Sequence, residues 1–268
     1  MENTNQGMSL RDLVWNQLRV LPAFRSLVRA MESRLLSQLG TLSDPVLDIG
    51  AGDGHFAQSV FRGIDVGMDS DRLILKEARK RGVYSNLCVS SATDMPFRNS
   101  IFSTIICNSV LEHIPDITSV IAESFRVLQH GGYFICSVPT NCLNDNLGIT
   151  RLLNFLGFEG LATRYKSWFA RLQRHFHMYS PEVWQRQIEE AGFCVVIHTG
   201  YMSPGATAIF DLGHFYGGFN WIDHWITGKW VILPWRPLFF LEEKVIASFI
   251  GEDNPPLASC HFFVAKKM

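Results

Sequence analysis

The stretch Val46-Leu47-Asp48-Ile49-Gly50-Ala51-Gly52-Asp53-Gly54-His55-Phe56 constrains the fold more than any other part of the chain. A short apolar run bounded by Pro45 reads as a buried strand. A loop with glycine at every second position follows it, and then an apolar pattern of helical spacing through Phe56, Ala57, Val60 and Phe61. Glycines let the backbone turn sharply and approach a ligand with no Cβ in the way. The new helix presents free N–H groups at its start. Such a unit suits a nucleotide-like cofactor. The dinucleotide spacing G-x-G-x-x-G would put a third glycine at position 55. His55 stands there and the third glycine comes one residue early, which disfavours an NAD-dependent oxidoreductase.

With this spacing, Asp48 to Gly54 resembles the first motif, acidic-x-G-x-G-x-G, of the class I S-adenosylmethionine (SAM)-dependent methyltransferases. Further stretches carry the same resemblance in the same order. Asp65 to Ser70 reads as a second strand ending in an acid, and Asp69 lies 21 residues beyond Asp48, the spacing at which a Rossmann-type site places a carboxylate on ribose hydroxyls. Gly67, Asp69 and Asp71 approximate the family's G-x-D-x-S. Ser91-Ala92 stands where the family has an acid followed by alanine near the adenine, so a hydroxyl replaces a charge, and Asp94 is expected to cap a turn. Phe102 to Asn108 reads as strand four, and Leu111-Glu112-His113 matches the family's L-E-H. Arg126 to Gly132 matches R-V-L-x-P-G-G with His130 in place of proline.

Strands alternating with helices predict a doubly wound, seven-stranded, mostly parallel Rossmann-like α/β sheet. The resemblance implies that its last strand is antiparallel and inserted between the fifth and sixth. It also assigns the cofactor, SAM, to Asp48, Gly50, Ala51, Gly52, Gly54, Asp69, Ser70, Ser91, Ala92 and Asn108.

The expected organisation is a single domain over 1–268. A helical lid spans 9–39, broken near Pro22, and a SAM-binding core spans 40–140. Acceptor-side cap segments, a helical and aromatic insertion, occupy 141–180 and 200–257, and a closing strand 258–268. Arg29 and Glu32 read as an exposed pair one helical turn apart. Residues 151–186 hold six Lys/Arg against two acids, and 200–257 holds four of the seven tryptophans, Trp221, Trp225, Trp230 and Trp235, with Phe215 and Phe219 among its phenylalanines. A basic face beside amphipathic aromatics suits an apolar acceptor with an anionic head group, or a membrane surface.

A net charge of −1 argues against a general nucleic-acid binder, and 47% hydrophobic with 18% charged residues supports a packed core. The six cysteines are scattered without a CxxC pair, so neither a disulfide framework nor a zinc site is expected, and the cytoplasm is the simplest location. Met1 to Met8 is polar and lacks a signal-peptide core. Trp230 to Ile250 is too interrupted to span a membrane.

The expectation is therefore a SAM-dependent methyltransferase acting on a small or lipid-like acceptor. If the acceptor atom is oxygen, a base is needed, and His113, His175, His177 and Tyr179 are the candidates. Asn108 is followed by Ser-Val-Leu rather than the N-P-P-aromatic stretch of base and glutamine-amide methylases, which argues against those acceptors. The alternative outside enzymology is a non-catalytic SAM-binding or membrane-docking protein. No metal is expected at the His175-x-His177 pair, because no third ligand lies near it in sequence.

Overall fold

The computed structural model describes residues 8–268, with the side chains of residues 215–226 outside the description. Phe215, Phe219, Trp221 and Trp225, and the N-terminal residues 1–7, therefore lie outside the described residues.

Seven strands form one sheet: β1 Val46–Ile49, β2 Ile64–Asp69, β3 Tyr84–Val89, β4 Phe102–Asn108, β5 Leu128–Pro139, β6 Phe193–Tyr201 and β7 Cys260–Lys267. Their order is β3-β2-β1-β4-β5-β7-β6. The pairs from β3 to β5 are parallel, while β7 runs antiparallel to both neighbours. The expected architecture is therefore the observed one. Between β1 and β4 the order of connection reverses, and it is at such a switch point that a crevice opens beyond the carboxyl ends of the strands.

Helices cover both faces. In chain order they are α1 Leu10–Leu18, α2 Ala23–Gln38, α3 His55–Val60, α4 Arg72–Arg81, α5 Ile117–Val127, α6 Cys142–Asn146, α7 Gly148–Phe155, α8 Glu159–Gln173, α9 Pro181–Glu190, α10 Pro204–Thr227 and α11 Phe240–Ile250. The two-residue period of the strands divides the core. Val46, Ile106, Ile135, Phe262 and Val264 pack with α1, α2, α3, α10 and α11. Leu47, Ile49, Ile105, Cys107, Phe134 and Phe263 point the other way, onto α5 and α9.

Local chemistry sets several boundaries. The carboxylate of Asp71 accepts from Leu73 N at 2.7 Å and starts α4, so its place is a helix cap beside the ribose-type acid. Asp116 starts α5 in the same way through Ser119 N at 3.1 Å. The turn expected of Asp94 is made by Ser91 instead, whose Oγ accepts from Thr93 N at 3.2 Å. Ser180 does precede α9, but its hydroxyl donates to Glu182 at 2.6 Å rather than capping an N–H.

One expectation needs correction. Glu32 is fully buried, so Arg29–Glu32 is no solvated surface pair. The insertion after β6 is helical, as expected: α10 lies against α2, where a Cβ on Gly213 would come within 2.8 Å of Phe24 Cβ, and α11 contributes Ile246 and Ile250 to the core.

Candidate active site

β1 delivers the glycine loop to the switch point. All four of its residues are buried, Asp48 included. Gly50 turns the chain at φ +73°, and a Cβ there would lie 2.3 Å from Val110 Cγ2, so both the angle and the space require glycine. Gly52 is also left-handed, at φ +54°, but open space surrounds its Cβ position, leaving the backbone approachable. Gly54 serves differently. It is the left-handed N-cap of α3, and a Cβ on it would sit 3.2 Å from Ala78 Cα, so it lets α3 pack on α4.

Two carboxylates brace this loop. Asp69 accepts from Gly52 N at 3.0 Å through one oxygen and from Asp71 N at 2.9 Å through the other. Asp48 accepts from the Tyr84 hydroxyl at 2.5 Å. Burial pushes the Asp48 carboxyl up to about 7; the Tyr84 hydrogen bond opposes that shift and the nearby Asp69 charge adds to it.

Above the loop lies a cleft of about 880 Å³. Asp48, Gly50, Ala51, Gly52 and Asn108 line it, and Arg19, Arg25 and Arg29 from the N-terminal helices and Trp230 to Ile232 wall its other side. The remaining assigned positions do not line this cleft. Ser70 and Ser91 are exposed, Ala92 is packed beneath the turn, and Asp69 faces the loop backbone.

A second feature escaped the sequence reading. The buried Glu32 carboxylate on α2 gathers Arg29 Nη1 at 2.6 Å, Ser109 Oγ at 2.5 Å, Asn108 Nδ2 at 2.9 Å and the Tyr201 hydroxyl at 3.2 Å. Asn108 Oδ1 accepts in turn from Ser137 Oγ at 2.8 Å. One carboxylate thus joins α2 to the carboxyl ends of β4, β5 and β6. A usable signal was present: position 32 falls in line with Val28, Leu35 and Leu36 on the apolar stripe of α2.

Next to the cleft is a pocket of about 170 Å³ lined by Arg25, Arg29, Ser109, Glu112, His113, His175 and His214 among others. Arg25 and Arg29 border both cavities. Of the four proton-transfer candidates, the fold brings together His113 and His175, with ring centres 5.2 Å apart. Burial pulls both imidazoles down, His175 to about 4, so both are neutral at pH 7. Glu112 beside them is pushed up to about 8 by burial. His177 and Tyr179 lie elsewhere: His177 Nε2 is 2.9 Å from the Pro115 carbonyl, and Tyr179 packs against Trp184. A third, apolar groove of about 710 Å³ runs past Leu21, Phe24, Ile209, Leu233, Phe239 and Val245. It shares Trp230 and Ile232 with the cleft and Phe24 with the small pocket.

A doubly wound sheet with a glycine-cradled crevice at its switch point, a carboxylate at the end of each of the first two strands and a second pocket alongside defines a class. It is the class of Rossmann-like enzymes that hold an adenosine cofactor next to an acceptor. Residues 23–198 match the family described as methyltransferase domain, and the chain belongs to this family of SAM-dependent class I methyltransferases. Among curated relatives it is 34% identical over 92 residues to an uncharacterized protein of Methanocaldococcus jannaschii, covering 34% of this chain and 43% of that one. It is 27% identical over 122 residues to the ubiquinone/menaquinone biosynthesis C-methyltransferase UbiE of Rickettsia bellii, covering 40% and 49%. The chain thus spans about half the length of these relatives. In three dimensions it is similar to a SAM-dependent methyltransferase of Thermotoga maritima, with TM-score 0.56, 15% identity and 92% and 91% of the two chains covered. It is also similar to a geranyl diphosphate C-methyltransferase of Streptomyces coelicolor solved with Mg2+, geranyl-S-thiolodiphosphate and S-adenosyl-L-homocysteine, with TM-score 0.55, 12% identity and 88% and 75% covered.

Proposed function

We propose that the protein transfers a methyl group from SAM to a small, largely apolar or lipid-like acceptor. The observation that carries this reading is the adjacency of the three cavities. The glycine-loop cleft and the histidine pocket share Arg25 and Arg29, and the apolar groove shares Trp230 and Ile232 with the cleft and Phe24 with the pocket. The residues present fit the cofactor: Gly52 leaves its backbone open, Gly50 admits no side chain, and Asp48 and Asp69 stand at the strand ends. Gly50, Ala51 and Gly52 would cradle it, and its adenosine would extend beyond the cleft over the ends of β2 and β3, where Asp69 would accept from the ribose hydroxyls and Ser91 with Ala92 would border the adenine. Asp48 and Asn108 would face its charged end. SAM supplies a methyl group already activated on a sulfonium.

What remains for the chain is placement. Holding two reactants in line can supply up to roughly 7–11 kcal/mol of the barrier. The α2 network fixes Asn108 and Ser109 between the two cavities, and the apolar groove would take the acceptor's hydrocarbon portion while excluding water. A hydroxyl acceptor must also lose a proton, and the adjacent His113 and His175 of the pocket would receive it. The names of the relatives, a quinone C-methyltransferase and a terpenoid diphosphate C-methyltransferase, support an apolar acceptor of this kind. The exposed apolar and basic surface of α7 and α8 supports contact with a membrane from which such an acceptor would be drawn.

Calorimetric titration tests the cofactor half: SAM and its demethylated product should bind and NAD should not. Asp69→Ala should weaken SAM tenfold or more, because each charge-assisted hydrogen bond it loses is worth about 1.5–3 kcal/mol. Binding of NAD without SAM would overturn the reading. Mass spectrometry of lipid and small-molecule extracts, with and without the protein, should show product–substrate pairs differing by one methylene.

A further inference from the structure

One cluster in the small pocket is arranged for more than proton transfer. Glu112, His113 and His175 each offer one ligand atom, and all three atoms lie within 4.8 Å of one another. The backbone sets this up. A single turn of 3-10 helix at Leu111–His113 places Glu112 and His113 side by side. Phe176 N then donates to the Glu112 carbonyl at 2.8 Å, which ties the segment after α8 to that turn and lays His175 over His113.

Two details suit this cluster to a cation. His113 Nδ1 is 3.2 Å from the Arg174 carbonyl, which can only accept, so Nδ1 carries the hydrogen and Nε2 keeps its lone pair. That Nε2 lies 3.8 Å from Glu112 Oε1. A carbonyl on the far nitrogen is the support that metal-binding imidazoles ordinarily have. Glu112 itself is only 3% exposed, and among the described residues its Oε2 has no hydrogen-bond partner although the residue lines the pocket. A buried carboxylate oxygen left unpaired is costly, and a bound cation would remove that cost.

We propose that Glu112, His113 and His175 form a binding site for a divalent metal ion. Two imidazoles and one carboxylate suit ions of borderline softness such as Zn2+, Mn2+ or Fe2+. Three ligand atoms sharing one ion at about 2.0–2.2 Å in tetrahedral geometry lie roughly 3.4 Å apart, so side-chain rotations that draw these atoms together by about an ångström would close the site. The remaining coordination positions open into the pocket, toward an oxygen atom of the acceptor. That last statement rests on the methyltransferase reading; the metal site does not.

Equilibrium dialysis of the tag-free full chain against Zn2+ or Mn2+, read by elemental analysis, tests the proposal. One equivalent should bind, and Glu112→Gln and His175→Asn should each weaken binding at least tenfold with unchanged circular dichroism. His177→Asn and His261→Asn should bind as the parent does; His261 pairs with His198 at 2.7 Å and is the other histidine pair on the surface. No saturable binding, equal binding by Glu112→Gln, or loss confined to His261→Asn would overturn it. Should Glu112→Gln fail to fold, the half-buried His175 still decides the question. SAM titration of the same samples is read separately: its failure would sink the methyltransferase reading and leave the metal result standing.

Discussion

Asp48 shows how one residue can hold the loop and set a pH dependence together. Its carboxyl is buried, so the charged form is disfavoured, and it titrates near 7 rather than at its usual 3.8. An acid whose folded pKa is raised stabilises the fold relative to the unfolded chain while both are protonated. That contribution is lost progressively as pH rises from about 4 to 7, and it is constant above. Asn at position 48 keeps an acceptor for the Tyr84 hydroxyl and does not titrate. The stability of the parent relative to Asp48→Asn should therefore fall between pH 5 and pH 8 by on the order of 2 kcal/mol, measured by urea unfolding at both pH values. Parallel pH profiles for the two proteins would show that Asp48 is ionised throughout. The motif identified Asp48 as important, yet nothing in the sequence says that its partner is Tyr84, 36 residues away. That pairing follows from β3 lying beside β2, where the flat ring of Tyr84 covers Gly67 so closely that a Cβ on that glycine would come within 2.7 Å.

At the scale of elements, α2 is the joint of the molecule. Its apolar side, through Leu27, Met31, Leu35 and Leu36, belongs to the core, and the same side carries Glu32 to the strand ends. A buried carboxylate with this many donors is not interchangeable with an apolar residue unless its partners change too. Removing it leaves Arg29, Asn108, Ser109 and Tyr201 without their shared acceptor. Truncation of one partner in a buried charge pair costs about 3–5 kcal/mol, and Glu32→Ala should lose stability of that order in chemical denaturation. Glu32→Gln retains an acceptor and should lose less. A loss under 1 kcal/mol for the alanine variant would mean that water replaces the carboxylate. The strands, by contrast, were legible in number and order, because β-branched and aromatic runs bounded by turn residues have few other uses in a chain of this composition, although β5 starts at Leu128, ahead of the apolar run that announces it. The insertion after β6 was expected to be helical, but the bounds of α10 were not legible, because its glycines and aromatics carry no clear 3.6-residue stripe.

For the whole molecule, the surface is uneven. The connected helices α7 and α8 expose Leu152, Phe155, Leu156, Leu161, Trp168 and Leu172, with Phe155 at 87% exposure. Arg151, Arg164, Arg171 and Arg174 lie exposed among them, while Lys166, expected with them, is engaged by Asp145 at 2.9 Å. No helix among the described residues is long and apolar enough to cross a membrane. An apolar crest ringed by arginines is suited to lie on an anionic bilayer, each cation near the surface adding about 1 kcal/mol. The full chain should sediment with vesicles containing phosphatidylglycerol at low salt and less so at high salt. Reversal of Arg164 and Arg171 to glutamate should weaken sedimentation at least tenfold and leave SAM binding unchanged. Equal sedimentation with neutral vesicles, or none at low salt, would assign the crest to a protein partner instead.

The amino-acid sequence alone determined the sheet, the glycine loop, the acids that follow β1 and β2, and with them the cofactor class. Those features are local. A glycine at positive φ, an apolar run or a capping aspartate is written in neighbouring residues. The tertiary structure decided what depends on contacts between distant segments. It set His113 beside His175 and left His177 and Tyr179 with other partners, because the Phe176–Glu112 hydrogen bond brings the chain after α8 back to the turn after β4. It converted Arg29–Glu32 from a surface pair into a buried hub, because α2 packs with its carboxylate over the strand ends. It set the apolar groove beside the cofactor cleft, because α10 and α11 fold back onto α2. None of these pairings has a periodicity to announce it, since burial and proximity in three dimensions are properties of the packed molecule rather than of any window of its sequence.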